Sequence, residues 1–144
     1  MTASNRNPDQ GESRQKEHLF QCKVYYEDTD SMSVVYHANY VKFMERARTE
    51  FIEERLSSIQ GYHDRGYFFM VHKLEMAFHG PARLGDLLVI RTRIENRTRF
   101  RVVVKQIIVR KGEPMDYLVT GAITLVTVSP EGELLPIPEE FHSL

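Results

Sequence analysis

Tyr25-Tyr26-Glu27-Asp28-Thr29-Asp30-Ser31-Met32-Ser33-Val34-Val35-Tyr36-His37-Ala38-Asn39-Tyr40 joins two segments of different period. Before it, Phe20, Cys22, Val24 and Tyr26 alternate with Gln21, Lys23 and Tyr25, the period of two that marks a half-buried strand. After it, Tyr40, Phe43, Met44, Ala47 and Phe51 fall three or four apart, with Lys42, Glu45, Arg46 and Glu53 on the other side, as in an amphipathic helix. Two acids, Asp28 and Asp30, therefore sit in a short loop aimed at a helix N-terminus. That end of a helix carries unpaired N–H groups and about half a positive charge, which suits it to hold a carbonyl oxygen that is becoming negative.

The residues around this junction carry a resemblance. Asp30-x-x-x-Val34-Val35-Tyr36-His37-x-Asn39-Tyr40, followed by Phe43-x-Glu45-x-Ala47-Arg48, resembles the acyl-CoA thioesterases of the hotdog fold, in the Tol-Pal-associated (YbgC-like) and 4-hydroxybenzoyl-CoA thioesterase branch. Gly80-Pro81-Ala82-Arg83-Leu84-Gly85-Asp86 is similar to the Pro-Ala-x-x-Gly-Asp turn of such enzymes, so the likeness runs from about Phe20 to Val128. Many members have glycine where this chain has Ser33, and only glycine lacks a Cβ there.

The helix is expected from about Asn39 to about Gln60, roughly 30 Å at 1.5 Å per residue, with Gly61 as its C-terminal cap. Arg46 and Glu50 are spaced for a surface ion pair on it. From Tyr67 onward four strand segments follow. Met70, His72, Leu74, Met76 and Phe78 alternate in the first; Leu88, Ile90, Thr92 and Ile94 define the second; Phe100 to Arg110 and Tyr117 to Val128 are the third and fourth. Gly80-Pro81 and Lys111-Gly112-Glu113-Pro114 read as turns, and Gly121 marks a bulge or a close approach of another element. Residues after Pro130 read as a turn and a loosely held tail, and residues 1 to 18 as a disordered polar tail before a single domain spanning 19 to 144.

One strand, one long helix and four strands with short connections imply an α+β fold, an antiparallel sheet with the helix on one face. The resemblance makes this a hotdog fold, a five-stranded sheet wrapped around one central helix, and implies a homodimer or homotetramer that covers an otherwise open sheet edge.

Composition excludes several classes of function. A net charge of −1 over 144 residues gives no general attraction to nucleic acid, and no apolar run approaches the ~20 residues that span a bilayer. The single cysteine, Cys22, excludes an internal disulfide and sits at a core position of its strand, so the chain reads as cytoplasmic. His72 and His79 are an odd number of residues apart on one strand and face opposite sides unless a bulge intervenes. No metal-ligand spacing, nucleophile elbow, phosphate loop or dinucleotide fingerprint is present, so no metal and no cofactor is expected.

The candidate site residues have two readings each. Asp30 is either a turn or capping residue or, as the resemblance implies, the carboxylate that attacks a thioester or activates the water that does. Asp28 reads as a structural acid. For His37 the resemblance implies that its backbone N–H polarises the thioester carbonyl; the alternative is a packing or capping histidine. Tyr36 and Asn39 match the motif as substrate-binding residues, while a core tyrosine and a helix N-cap explain them as well. Arg83, and Arg97, Arg99 and Arg101 around a turn, are placed either for the phosphates of coenzyme A or for solvent. The function implied is hydrolysis of an acyl-CoA thioester, with an acyl carrier protein as another donor. The alternatives are a non-catalytic acyl-CoA-binding hotdog protein and a hotdog enoyl-CoA hydratase, whose Asp and His stand closer together than Asp30 and His37 do.

Overall fold

The computed structural model describes residues 17–144. The sheet contains β1 (His18–Lys23), β2 (Phe68–Phe78), β3 (Leu87–Arg97), β4 (Val102–Arg110), β5 (Tyr117–Val128) and a short β6 (Leu134–Leu135). Its order is β1-β3-β4-β5-β2, every pairing is antiparallel, and β6 pairs with β5 beyond the end of β4. Two helices, α1 (His37–Arg55) and α2 (Ile59–Asp64), lie between β1 and β2 in the chain. This is the α+β arrangement of a sheet around one main helix.

The period-two residues fall where alternation requires. Leu88, Ile90, Ile108, Val119 and Ile123 point to one face, where Phe43, Met44, Ala47 and Phe51 of α1 bury against them. Each large apolar side chain removed from water there contributes roughly 1.5–3 kcal/mol. The helix approaches closely at Gly121, where a Cβ would stand 3.2 Å from the Met44 thioether. Close approach, rather than a bulge, is therefore the reason for a glycine inside β5.

Several boundaries differ from the periodic pattern. The alternation from Phe20 suggests a strand up to Tyr26, but β1 stops at Lys23, because Tyr26–Asp28 coils into a single 3₁₀ turn closed by Tyr25 N–H donating to Asp28 Oδ2 at 2.8 Å. The helix expected to reach Gln60 ends at Arg55, and Gly61 is not its cap. Ser58 breaks the helix: its Oγ accepts the Gly61 N–H at 2.9 Å and starts α2, inside which Gly61 lies. Among the described residues no ion pair joins Arg46 to Glu50; on that face Thr49 donates to Glu45 instead.

The end of the chain is not loosely held. Ile137 and Phe141 are buried, the Phe141 ring packs on Tyr62 and Phe69, and Ile137 N–H donates to Arg99 C=O. The tail expected at residues 1 to 18 lies outside the described residues up to residue 16. Glu17 pairs with Arg91 and His18 opens β1, so the fold begins before residue 19.

Candidate active site

The loop after β1 is folded on itself and pinned to the start of α1. Asp30 N–H donates to Val34 C=O at 2.9 Å and Ser33 N–H to Asp30 C=O at 3.1 Å, so Asp30 to Ser33 form the tip of a small hairpin closed by the Thr29–Val35 bridge. Ser33 has φ +60, the left-handed conformation that the last residue of such a tip adopts. A Cβ in that region costs about 1–2 kcal/mol. Ser33→Gly should therefore raise stability by about 0.5–1 kcal/mol after the unfolded-state entropy of glycine is counted, read from urea unfolding midpoints. Ser33→Val should lower it.

Asp28 organises the base of the hairpin. Its carboxylate accepts the Tyr25 N–H, and its carbonyl accepts both the Tyr36 N–H at 3.0 Å and the Asn39 side-chain amide at 2.9 Å. Asn39 is thus a bridge from the first turn of α1 to the loop, not the N-cap. Tyr36 occupies the N-cap position without a side-chain cap bond and is 49% exposed, so it is not a core tyrosine. Its ring leans on His37, with centroids 4.6 Å apart, and His37 meets Phe78 of β2 at 6.3 Å.

A second segment braces the loop from the other side. Val35 N–H donates to Ala82 C=O, Val34 bridges to Arg83, and Leu84 N–H donates to Ser33 C=O. This Gly80–Asp86 turn is itself held by two groups that sequence reasoning passed over. The buried Tyr40 hydroxyl accepts the Ala82 N–H at 3.0 Å, and burial raises the Tyr40 pKa above its ordinary value. Arg110 donates to Asp86 Oδ2 at 2.9 Å and to the Pro81 carbonyl. Tyr40 was visible as a helix core residue, but nothing in its spacing disclosed a partner 42 residues away.

Asp30, Tyr36, His37, Asn39 and Arg83 are thereby brought to one end of the molecule. The Asp30 carboxylate is exposed; its Oδ1 accepts the Met32 N–H at 2.8 Å, an Asx turn that satisfies one oxygen. No hydrogen bond joins Asp30 to His37 among the described residues. At the end of α1 the first N–H groups, His37 and Ala38, have no turn before them to bond, whereas Asn39 N–H turns back to Tyr36 C=O. Arg83 is exposed, and its backbone N–H, not its guanidinium, is the group engaged, by Asp86. Arg97 donates to the Leu144 carbonyl and Arg99 covers the Phe100 ring. Arg97 therefore anchors the tail.

Cys22 is partly buried, and burial, helped by nearby Asp28, pushes its thiol pKa up to about 11, which keeps it protonated and unreactive near neutral pH. His72 falls where β2 slips register between Val71 and Lys73, and His79 pairs with the Thr120 hydroxyl. Among the described residues no three His, Cys, Asp or Glu side chains are grouped to hold a metal ion, and no helix is long and apolar enough to cross a membrane.

Three hollows stand elsewhere, one of them a shallow depression of about 340 Å³ over β2, β4 and β5 around Glu75, Lys105 and Thr120. Another, of about 450 Å³, lies on the sheet face away from α1, around Leu19, Arg91, Val109 and Tyr117, but Arg91 is spent on Glu17 and Tyr117, and Arg110 on Asp86. The third, about 190 Å³, lies between α1, α2 and β2.

Residues 32–115, which carry the helix start, the brace and three strands, match the model of the thioesterase superfamily. The chain belongs to the thioesterase superfamily. It is 45% identical over 85 residues to the acyl-CoA thioesterase YbgC of Helicobacter pylori, covering 59% of this chain and 62% of that protein. Against the acyl-CoA thioester hydrolase YbgC of Escherichia coli it is 40% identical over 108 residues, 75% of this chain and 79% of that one. A probable thioesterase from Bartonella henselae, a solved structure, superposes with a TM-score of 0.75 at 35% identity, covering 85% of this chain and 99% of that one. The chain thus spans 62% of the length of the Helicobacter pylori relative. The matched residues take in the helix start and the Gly80–Asp86 brace, while Asp28 and Asp30 stand just before them.

Proposed function

We propose that this chain hydrolyses acyl-CoA thioesters, with Asp30 as the reacting carboxylate and the backbone N–H of His37 as the oxyanion donor. The observation that carries this reading is the pinning of the base of the Asp30 hairpin to the first turn of α1 through the Asp28 carbonyl, which ties the loop that bears the carboxylate to a helix start with unbonded N–H groups. Its membership of the superfamily, and the activities named for its YbgC relatives, support the same chemistry. A water oxygen attacks the carbonyl carbon as its proton passes to Asp30; the oxyanion rests on the helix N–H groups, the C–S bond breaks, and the coenzyme A thiolate leaves and takes up the proton. Direct attack by Asp30 would instead give a mixed anhydride that water then cleaves. Release of free thiol from a panel of acyl-CoA thioesters tests the proposal. Absence of release from every member would sink it.

The working unit is a dimer paired through β2. Among the described residues that strand bonds to β5 on one side only; it runs 11 residues and exposes Met70, Val71, Leu74 and Phe78. A long apolar edge of this kind is an aggregation hazard unless a strand covers it. Antiparallel pairing of two copies about a twofold near Leu74 would set Lys73 opposite Glu75 of the partner subunit, twice, so the edge is complementary to itself. Light scattering at micromolar concentration should give twice the chain mass. Lys73→Glu should shift the mass toward one chain, and Lys73→Glu with Glu75→Lys should restore it; a wild-type monomer defeats the assembly.

A further inference from the structure

The 190 Å³ hollow beside α1 contains a group that the hydrolysis does not use. Ile52, Ile59, Phe69, Val71 and Leu125 make its apolar walls, and Glu45, Arg48, Thr49 and His63 its polar part, of which Arg48 is the buried member. Arg48 is buried on the inner side of α1, where its Nη1 donates to Gln106 Oε1 at 3.0 Å. Among the described residues Arg48 forms no salt bridge and bonds no other side chain, and neither Nε nor Nη2 is among the buried atoms left without a partner, so these donors are open to the hollow that Arg48 lines. Guanidinium offers donors and no acceptor. A ligand reaching it must bring an acceptor. The Glu45 carboxylate stands near Arg48 and is taken up by the Thr49 hydroxyl, which leaves the cavity mouth close to neutral and favours an uncharged acceptor over a carboxylate.

The position of this hollow links it to the thioester site of a second copy. Within one chain Arg48 stands three helical turns beyond His37, roughly 16 Å, too far for a small acyl group to bridge. In the β2 pairing proposed above, with the register slip at His72 counted, Phe69 and Val71, which wall the hollow, come opposite the Met76–Phe78 end of the partner's β2. In every copy that end carries Phe78, whose ring packs on His37 and Tyr40. The hollow of one copy therefore opens beside the helix start of the other.

We propose that this hollow is the acyl pocket for the partner's thioester site and that Arg48 sets its specificity, selecting a short acyl chain with an uncharged oxygen acceptor near its far end. The inference rests on the proposed hydrolysis and on the β2 dimer. Size sets the chain length: a cavity of about 150 Å³ holds a benzene molecule, so this one takes about six to eight non-hydrogen atoms. A single hydrogen bond to a charged donor discriminates by about 10- to 100-fold against an analogue that lacks the acceptor.

The test compares kcat/KM of the full-length wild-type chain for 4-oxopentanoyl-CoA, pentanoyl-CoA, succinyl-CoA and decanoyl-CoA. The expected result is a preference for 4-oxopentanoyl-CoA over pentanoyl-CoA of about 10-fold or more, with decanoyl-CoA and succinyl-CoA both poorer than 4-oxopentanoyl-CoA. Arg48→Met should bring the oxo-to-plain ratio to within about threefold of one, and because it is a ratio, general damage to the fold does not move it. A wild-type ratio near one, a preference for succinyl- or decanoyl-CoA, or a ratio that survives Arg48→Met overturns the pocket assignment while hydrolysis of pentanoyl-CoA leaves the proposed function standing. Failure to hydrolyse any of the four overturns the pocket assignment, and the proposed function falls with it when the wider acyl-CoA panel releases no thiol either.

Discussion

Asp30→Asn is expected to lower kcat for thioester hydrolysis by at least about 10²-fold with little change in KM, since positioned general-base assistance alone is worth about 10²- to 10⁴-fold. Asparagine keeps the shape of aspartate, and its side-chain oxygen can still accept the Met32 N–H that Asp30 Oδ1 accepts now. The hairpin should therefore survive while the anion is lost. Asp28→Asn is the comparison that separates chemistry from loop integrity. The Asp28 carboxylate bonds the Tyr25 N–H, but the contacts that hold the helix start come from its backbone carbonyl, which the substitution leaves in place. Steady-state kinetics on both variants decides the matter. Equal loss in the two would assign the effect to loop charge or structure, and retention of activity by Asp30→Asn within a few-fold would reduce Asp30 to the Asx-turn residue that its bond to Met32 already makes it.

The strands were legible in the sequence because alternation reports on the immediate surroundings of each residue. Leu88 and Ile90 each bury one side of a strand, and the pattern says so without knowledge of their partners. The helix core of Phe43, Met44, Ala47 and Phe51 was legible for the same reason. That a short loop carries Asp30 into a helix start also followed from local order, whereas its folding into a hairpin did not. What was not legible is whatever depends on distant segments meeting. The break at Ser58 is local but was masked by continuous helical spacing on both sides of it. Asn39 looked like a cap because Asn caps often; the Asp28 carbonyl drew it elsewhere. The Tyr40 hydroxyl and Arg110, which brace the Gly80–Asp86 turn, meet their partners 42 and 24 residues away. Arg48 and Gln106, 58 residues apart, could be read from spacing only as one more helix charge and one strand polar.

That last pair carries the second large effect. Gln106 is fully buried, accepts from Arg48 and donates through Nε2 to the Met44 carbonyl at 2.9 Å and the Thr92 hydroxyl at 3.0 Å. Gln106→Met fills a similar volume but leaves a buried guanidinium without the acceptor that faces it, and stranding one member of a buried charged interaction costs roughly 3 kcal/mol. For a chain of this length the loss corresponds to a fall in Tm of roughly 6–12 °C, with protein concentration held fixed because a dimer makes Tm concentration-dependent. Arg48→Met should cost less, since it removes the charge itself and leaves both Nε2 bonds of Gln106 in place. Combining the two removes donor and acceptor together, so the double variant should be more stable than Gln106→Met alone. Urea unfolding of the four proteins gives the coupling energy directly. Strict additivity would mean that the guanidinium is satisfied through the cavity and its water rather than through Gln106. Arg48 would then bear on the acyl pocket alone and not on the sheet-to-helix core.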